Sequence, residues 1–337
     1  MWETELADGF SVSVLGLGCS SMSHGYGPEQ RDNDESIRVI RRAVELGVTL
    51  FDTADVYGPY VNEELLGRAL GRRRHEVKIA TKCGLVVRPD SKFSRNGRPE
   101  YLRQACEGSL RRLRTDVIDL YQLHRVDPEV PLAETWGALG ELVTEGKVRG
   151  LGISHATLEE LKEIHAVFPL TTVQYELSVW APQNRRDILP WCRSNKVGFL
   201  AFAPIGRGYL SGRLAHKSLQ SGDSRMRDPR FAEEAMRSNE AIVEGLRAVC
   251  ARHSGATPSQ VAIAWALAQG PGVVPIPGTR HLHWLEENVA AACLRLSDED
   301  LRDLDSLPNA MGEMHWDGVR ADSAHDDATR SVSSGPA

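Results

Sequence analysis

The sequence is poor in several features that mark particular protein classes. Its six cysteines are widely spaced and form no C-x-x-C pair, and no signal peptide precedes them, so a reduced, cytoplasmic location is expected. No apolar run approaches the length of about eighteen residues that a transmembrane helix needs. A formal net charge of −6 provides no basic field for a nucleic acid or an anionic membrane. These absences disfavour the secreted, membrane-spanning and nucleic-acid-binding classes.

Two ligand-binding motifs are also missing. No G-x-G-x-x-G follows the first apolar run, which disfavours a Rossmann domain. His281 and His283 are the one pair with metal-ligand spacing, but no carboxylate lies near them at ligand spacing, so we expect solvated surface and no metal site.

What the sequence does contain is a regular alternation of short apolar runs with amphipathic segments. The apolar runs show no polar alternation, as buried parallel strands require. Eight such units predict a closed (β/α)8 TIM barrel with an extra C-terminal helix, and the alternative is a doubly wound open sheet. The predicted strands are Val12–Leu17, Leu50–Asp52, Val77–Thr81, Val117–Leu123, Val148–Ile153, Thr172–Gln174, Gly198–Phe202 and Val273–Ile276.

The pattern also predicts the domain boundaries and the loops. Residues 1–311 are expected to form one barrel domain, and 312–337 a polar, flexible tail. Asp34 is expected to cap the first helix, which ends at Gly47. Leu85–Arg98 and Ala203–Arg237 interrupt the rhythm, and we expect both as long loops that form walls or lids over the catalytic face.

Polar residues end three successive predicted strands. Asp52, Lys82 and His124 stand at these ends, and Tyr57 follows in the next loop. Because strand ends converge in a barrel, the four side chains are expected to share one pocket. An ammonium at ~4 Å would stabilise a phenolate by up to ~4 kcal/mol, and so lower the pKa of Tyr57 by as much as ~3 units, provided that burial does not offset the gain.

This arrangement suits proton transfer to a carbonyl oxygen. Asp52 would keep Lys82 charged, Tyr57 would act as a general acid, and His124 would orient the carbonyl oxygen. Taken singly, each residue also has an ordinary interpretation as a cap, a surface charge, a buried histidine or a core aromatic. Their joint position at strand ends favours the catalytic interpretation.

From about Val12 to Leu307 the chain resembles the aldo-keto reductases. The motifs that carry the resemblance are Phe51–Gly58, Ala80–Lys82, Asp119–His124, Gly146–Arg149, Gly152–Ser154, Val173–Tyr175 and Pro275–Thr279. The resemblance implies a catalytic tetrad of Asp52, Tyr57, Lys82 and His124 on a barrel that binds NADPH without a Rossmann domain. Two further segments, Asn62–Gly67 and Leu285–Asn288, resemble those of the branch of the family that includes perakine reductase-like and pyridoxal reductase-like enzymes.

The resemblance also implies a set of contacts to NADPH, from the nicotinamide carboxamide to the adenine. In that order, they are Ser154, Gln174, Phe202, Ile205, Gly206, Gly208, Gly278, Thr279, Arg280, Glu287 and Asn288. Two positions depart from the common pattern. His155 stands where many members have Asn, and Trp284 where some have Arg, which leaves Arg280 as the main cation for the 2′-phosphate.

The expected activity is NADPH-dependent reduction of an aldehyde or ketone, with the proton supplied by Tyr57 and a small carbonyl compound as the substrate. The alternative is an NADPH-binding, redox-sensing subunit with little turnover, like the potassium-channel beta subunits of this family. A metal-dependent hydrolase barrel would require His-x-His at the end of the first strand, where this chain has Gly16-Leu17-Gly18. The sequence alone determines neither the physiological substrate nor the oligomeric state.

Overall fold

The strands and helices are described for residues 1–88 and 93–312 of a computed structural model. Except for Gly312, the predicted tail lies outside these residues. The strands are β1 Glu3–Ala7, β2 Phe10–Ser13, β3 Leu17–Gly18, β4 Leu50–Asp52, β5 Lys78–Cys83, β6 Leu85–Val87, β7 Phe93–Arg95, β8 Ile118–Leu123, β9 Val148–Ser154, β10 Thr172–Glu176, β11 Gly198–Phe202 and β12 Val273–Pro275. The helices are α1 Asn33–Glu45, α2 Val61–Leu70, α3 Pro99–Leu113, α4 Leu132–Thr144, α5 Leu158–Val167, α6 Ile188–Ser194, α7 Glu233–Ser238, α8 Glu240–Cys250, α9 Pro258–Leu267, α10 Leu282–Ala290 and α11 Asp298–Asp305.

The central sheet of the described chain has eight parallel strands in the order β3-β4-β5-β8-β9-β10-β11-β12. Its two edges meet, because the amide of Gly16 donates to the carbonyl of Pro275 at 2.9 Å and that of Gly18 to Pro277 at 3.2 Å. The predicted (β/α)8 barrel is therefore confirmed, and the alternative of a doubly wound open sheet is wrong. Helix α11 is the extra C-terminal helix.

The start of the chain differs from the prediction of one strand over Val12–Leu17. Strands β1 and β2 form an antiparallel hairpin, and only Leu17 and Gly18 join the barrel as β3. Leu6, Phe10 and Val12 of the hairpin belong to one buried cluster with the barrel-lining residues of β4, β8 and β11. The hairpin thus closes the amino end of the barrel with apolar side chains. The polar residues around them in the sequence give no indication of this role.

Inside the barrel, an apolar layer lies below a polar one. Leu50, Ala80 and Leu120 belong to the buried interior cluster, and the residues two positions further along their strands are polar. Since side chains in a strand alternate faces with a period of two, these polar residues point into the same interior, nearer the carboxyl end. This layering places the candidate catalytic groups at one end of the barrel.

The first helix begins earlier than predicted. Asp32, not Asp34, is its N-cap, and the Asp32 carboxylate accepts from the backbone amides of Asp34 at 2.8 Å and Glu35 at 3.0 Å. Asp34 lies in the first helical turn, where its negative charge interacts favourably with the helix dipole.

The two long loops carry structure of their own. Strands β6 and β7 form a hairpin within Leu85–Arg98, while Ala203–Arg237 contains several 3-10 turns and most of α7. Both lie at the carboxyl end, as predicted. Among the described residues, no helix is both long enough and apolar enough to span a membrane.

Candidate active site

Asp52 and Lys82 form a buried ion pair at the carboxyl ends of β4 and β5. The Lys82 Nζ lies 2.6 Å from Asp52 Oδ1 and also donates to the carbonyl of Thr53 at 2.8 Å. Only 1% of the lysine side chain is exposed. Although burial opposes its charge, Asp52 and Tyr57 raise the pKa of Lys82. The lysine is therefore an ammonium ion with a fixed position.

Two glutamine amides complete the environment of Asp52. Its Oδ2 accepts from Gln174 Nε2 at 2.7 Å and from Gln122 Nε2 at 3.2 Å. Gln174 was predicted as a cofactor contact, whereas Gln122 was not singled out. The period of two along β8, from Leu120 through Gln122 to His124, is the sequence signal that could have identified it.

Tyr57 lies over the ammonium group, with its ring centre 5.3 Å from Lys82 Nζ. Burial raises the pKa of the Tyr57 phenol, and the opposing effect of Lys82 is smaller. The condition on the expected lowering, that burial does not offset the gain, is therefore not met, because desolvation of the partly buried phenol outweighs one nearby cation. Tyr57 consequently holds its proton at neutral pH.

His124 completes the group, with its ring centre 6.0 Å from that of Tyr57. Burial, followed by the charges of Arg125 and Lys82, lowers the pKa of His124 well below its usual value. The imidazole is thus neutral. Within the described part of the chain, its buried Nδ1 atom has no hydrogen-bond partner.

A junction at the start of α2, formed by Asn62 and Glu63, holds the residues next to this group. Asn62 accepts from the Thr53 hydroxyl at 2.6 Å and donates to the Cys19 carbonyl at 2.9 Å. Glu63 accepts from the Thr81 hydroxyl at 2.6 Å and from Arg112 at 2.7 Å. Thr53 follows Asp52 in the chain, and Thr81 precedes Lys82. The junction therefore fixes both ends of the ion pair through their neighbours.

Asp55 is buried beside this junction. Its Oδ1 accepts from the amide of Val56 at 2.7 Å. Burial, and then the charge of Glu63, raises the pKa of Asp55 to about 8, so the carboxyl group is mostly protonated at neutral pH.

A cavity of about 1200 Å³ opens above these residues. This exceeds the ~300–1,000 Å³ of a typical small-ligand pocket and leaves room for a dinucleotide together with a substrate. Lys82 lies behind the wall, and the predicted residues on the wall are Asp52, Tyr57, His124, Ser154, Gln174, Phe202, Ile205, Gly208, Gly278, Thr279 and Arg280.

Cations gather at the end of the cavity where Arg280 lies. Burial, together with the guanidinium groups of Arg31 and Arg225, lowers the pKa of Arg280. Arg280 donates to the Tyr26 carbonyl at 3.1 Å and to the Gln30 side chain at 2.8 Å. A partly buried guanidinium with other cations nearby favours an anion such as a phosphate.

The long loop after β11 crosses the cavity and meets the loop after β3. The amide of Ser224 donates to the Gly25 carbonyl at 2.7 Å. Arg207, with 8% of its side chain exposed, binds Asp228 at 2.9 Å and the Tyr26 hydroxyl at 3.3 Å. The side chain of Arg207 thus ties the two loops together, a contact that the sequence does not predict.

Three predicted cofactor residues lie elsewhere among the described residues. Gly206 is buried, and a Cβ atom there would come within 2.8 Å of the Trp180 ring. Glu287 and Asn288 lie on α10 outside the cavity wall. Glu287 accepts from Thr257 at 2.9 Å and is paired with an arginine.

Comparison with known proteins gives a consistent result. The model of the Aldo/keto reductase family matches residues 14–309. The chain belongs to the aldo/keto reductase family. It is 41% identical over 317 residues to a probable aldo-keto reductase 1 of Glycine max, covering 92% of this chain and 90% of that one.

Solved structures of other aldo-keto reductases show the same fold. A glycerol dehydrogenase of Gluconobacter oxydans matches with a TM-score of 0.81 at 30% identity, covering 90% of this chain and 94% of that one. An aldo/keto reductase of Klebsiella pneumoniae, in complex with NADP and acetate, matches with a TM-score of 0.70 at 27% identity, covering 93% of this chain and 100% of that one. The protein is therefore an oxidoreductase that acts on small carbonyl compounds.

Proposed function

We propose that the cavity at the carboxyl end of the barrel performs the NADPH-dependent reduction of an aldehyde or ketone, with Tyr57 as the proton donor. One observation carries the assignment of roles. Tyr57, Asp52 and His124 share the wall of one cavity, and the Lys82 ammonium lies directly behind them. This arrangement combines a neutral acid with a fixed positive charge.

The tetrad residues divide the work on the carbonyl group. NADPH, when bound, supplies the hydride that reduces the carbonyl carbon. Tyr57 holds its proton because burial raises its pKa, and it donates this proton to the carbonyl oxygen. Lys82 stabilises the tyrosinate that remains, and neutral His124 binds the carbonyl oxygen through a hydrogen bond.

The shape and charge of the cavity support the placement of NADPH. Ser154, Gln174 and Phe202 lie at the catalytic end, where the nicotinamide belongs. Arg280 lines the same cavity, and the neighbouring charges of Arg31 and Arg225 make it the proposed contact for the 2′-phosphate. Glu287 and Asn288 remain proposed adenine contacts that would require access from the cavity to α10.

The variant Tyr57→Phe tests the proton donor. We expect kcat/KM for NADPH oxidation with a carbonyl substrate to fall about 10²- to 10⁴-fold, the usual contribution of a general acid. NADPH binding, followed by cofactor fluorescence, should persist. Tyr60→Phe is the matched control, because Tyr60 is 47% exposed and should not affect turnover.

Two outcomes would contradict the proposal. Full turnover by Tyr57→Phe would move the acid role to His124. A wild-type protein that binds NADPH but reduces no aldehyde, ketone, dicarbonyl or pyridoxal would favour the redox-sensing subunit instead.

A further inference from the structure

The ring of His24 covers the ring of the proposed proton donor. The two ring centres lie 5.4 Å apart with an interplanar angle of 21°, a stacked arrangement. Phe93 meets His24 edge-on at 6.0 Å, and His124 meets Tyr57 edge-on at 6.0 Å. All four residues line the cavity. The proposed acid is therefore embedded in a continuous wall of rings.

Apolar side chains adjoin this wall, although Arg125 and Arg207 also line the cavity. Val56 and Leu85 are buried in one cluster against which Tyr57 and Phe93 pack. Both also line the cavity. A substrate whose carbonyl oxygen reaches Tyr57 lies beside these rings and aliphatic groups, where apolar surface is removed from water.

His24 takes part in this wall as a neutral ring. Burial, and then the charges of Arg31 and Arg207, lowers the pKa of His24 to about 4. At physiological pH the imidazole carries no charge, so it offers a flat face and not an ionic contact.

A cation also lies on this part of the cavity wall. Arg125, which follows His124 in the chain, lines the cavity and donates to the His124 carbonyl at 2.6 Å.

We propose that the substrate is an uncharged aromatic aldehyde or ketone whose planar ring packs against His24 and Phe93. This inference rests on the proposed reductase function and specifies the substrate class of the same site. His24 is then a specificity residue, because it touches the substrate ring and not the reacting atoms. A carbonyl compound with an anionic group, recognised by Arg125, is the competing class.

The test compares benzaldehyde with cyclohexanecarbaldehyde, which has the same carbon skeleton in a puckered ring. The measured quantity is the ratio of their kcat/KM values, in wild type and in His24→Leu. Because the intrinsic reactivities of the two aldehydes are the same with every variant, a change in the ratio reports ring recognition. We expect His24→Leu to lower the ratio about three- to tenfold, and His24→Phe to preserve it.

Two further variants complete the design. Phe93→Leu removes the second ring and should lower the same ratio, which keeps the inference testable if His24→Leu does not fold. His75→Ala is the matched control, since His75 is exposed on the outside of the barrel. It should leave the ratio unchanged.

The outcomes separate this inference from the function on which it rests. Failure of wild type to oxidise NADPH with any carbonyl compound overturns the proposed function. Turnover with an unchanged ratio in both His24→Leu and Phe93→Leu overturns the inference alone. A preference for 4-carboxybenzaldehyde over benzaldehyde that disappears in Arg125→Leu would replace the uncharged substrate class with the anionic one.

Discussion

Replacement of Lys82 by methionine tests the electrostatic core of the site. The variant keeps the length of the side chain and removes a charge that lies 5.3 Å from the ring centre of Tyr57. At an effective dielectric of ~20, a charge pair at this separation is worth about 3 kcal/mol, which corresponds to about two pKa units or a hundredfold in rate. We therefore expect kcat/KM for carbonyl reduction to fall about 100-fold in Lys82→Met.

The same variant should shift the pH dependence in a defined direction. Reduction requires the protonated phenol, so activity is lost as pH rises through the pKa of Tyr57. Burial already raises that pKa, and Lys82 opposes the increase. Without the ammonium the pKa rises further, so the alkaline limb should move to higher pH while the plateau falls. The assays are the pH profile of kcat/KM and an alkaline absorbance titration of tyrosinate, taken as the difference from Tyr57→Phe.

The controls separate this effect from loss of stability. Lys78→Met changes a partly exposed lysine at the amino end of the same strand, 3.9 Å from the Asp119 carboxylate, and should keep full activity. Since an unpaired buried carboxylate costs about 3–5 kcal/mol, Asp52→Asn/Lys82→Met should be more stable than Lys82→Met. A folded Lys82→Met that binds NADPH normally and loses less than about threefold of kcat/KM would refute the reasoning.

Two other variants address the cofactor and the opposite end of the barrel. Arg280→Leu should weaken NADPH binding about 10- to 100-fold and NADH binding much less, because it removes charge-assisted hydrogen bonds; equal losses for both cofactors would contradict the 2′-phosphate assignment. Asp119→Asn should lower the free energy of unfolding by about 2 kcal/mol, measured by denaturant titration, because the carboxylate accepts from Arg74 at 2.6 Å. Its kcat/KM should stay at the wild-type value, and a large loss of activity would show that the two ends of the barrel are coupled.

The convergence of Asp52, Lys82 and His124 could be predicted because it follows from strand geometry, with Tyr57 in the loop that follows the first of these strand ends. Once Leu50–Asp52, Val77–Thr81 and Val117–Leu123 are assigned to parallel strands of a barrel, the residues at their ends must converge. Convergence needs no knowledge of side-chain contacts. The ion pair between Asp52 and Lys82 is the direct consequence.

Other features depend on tertiary contacts that the sequence does not display. The raised pKa of Tyr57 reflects desolvation beneath the ring of His24, which no local pattern reveals. The hairpin of β1 and β2 is stabilised by the barrel end that it closes. The tie from Arg207 to Asp228 and Tyr26 joins segments far apart in the chain. In each case the deciding partner is distant in sequence.

The junction at the start of α2, formed by Asn62 and Glu63, takes no part in the reaction but lies close to the proposed acid, Tyr57. Its hydrogen bonds explain this position. The amide of Asn62 donates to the Tyr57 carbonyl at 3.1 Å, while its side chain binds Thr53 beside Asp52. Glu63 binds Thr81 beside Lys82. Two consecutive residues therefore set the positions of the acid, the carboxylate and the ammonium together. A shift of α2 would move all three at once, so helix packing controls the electrostatics of the proposed proton donor.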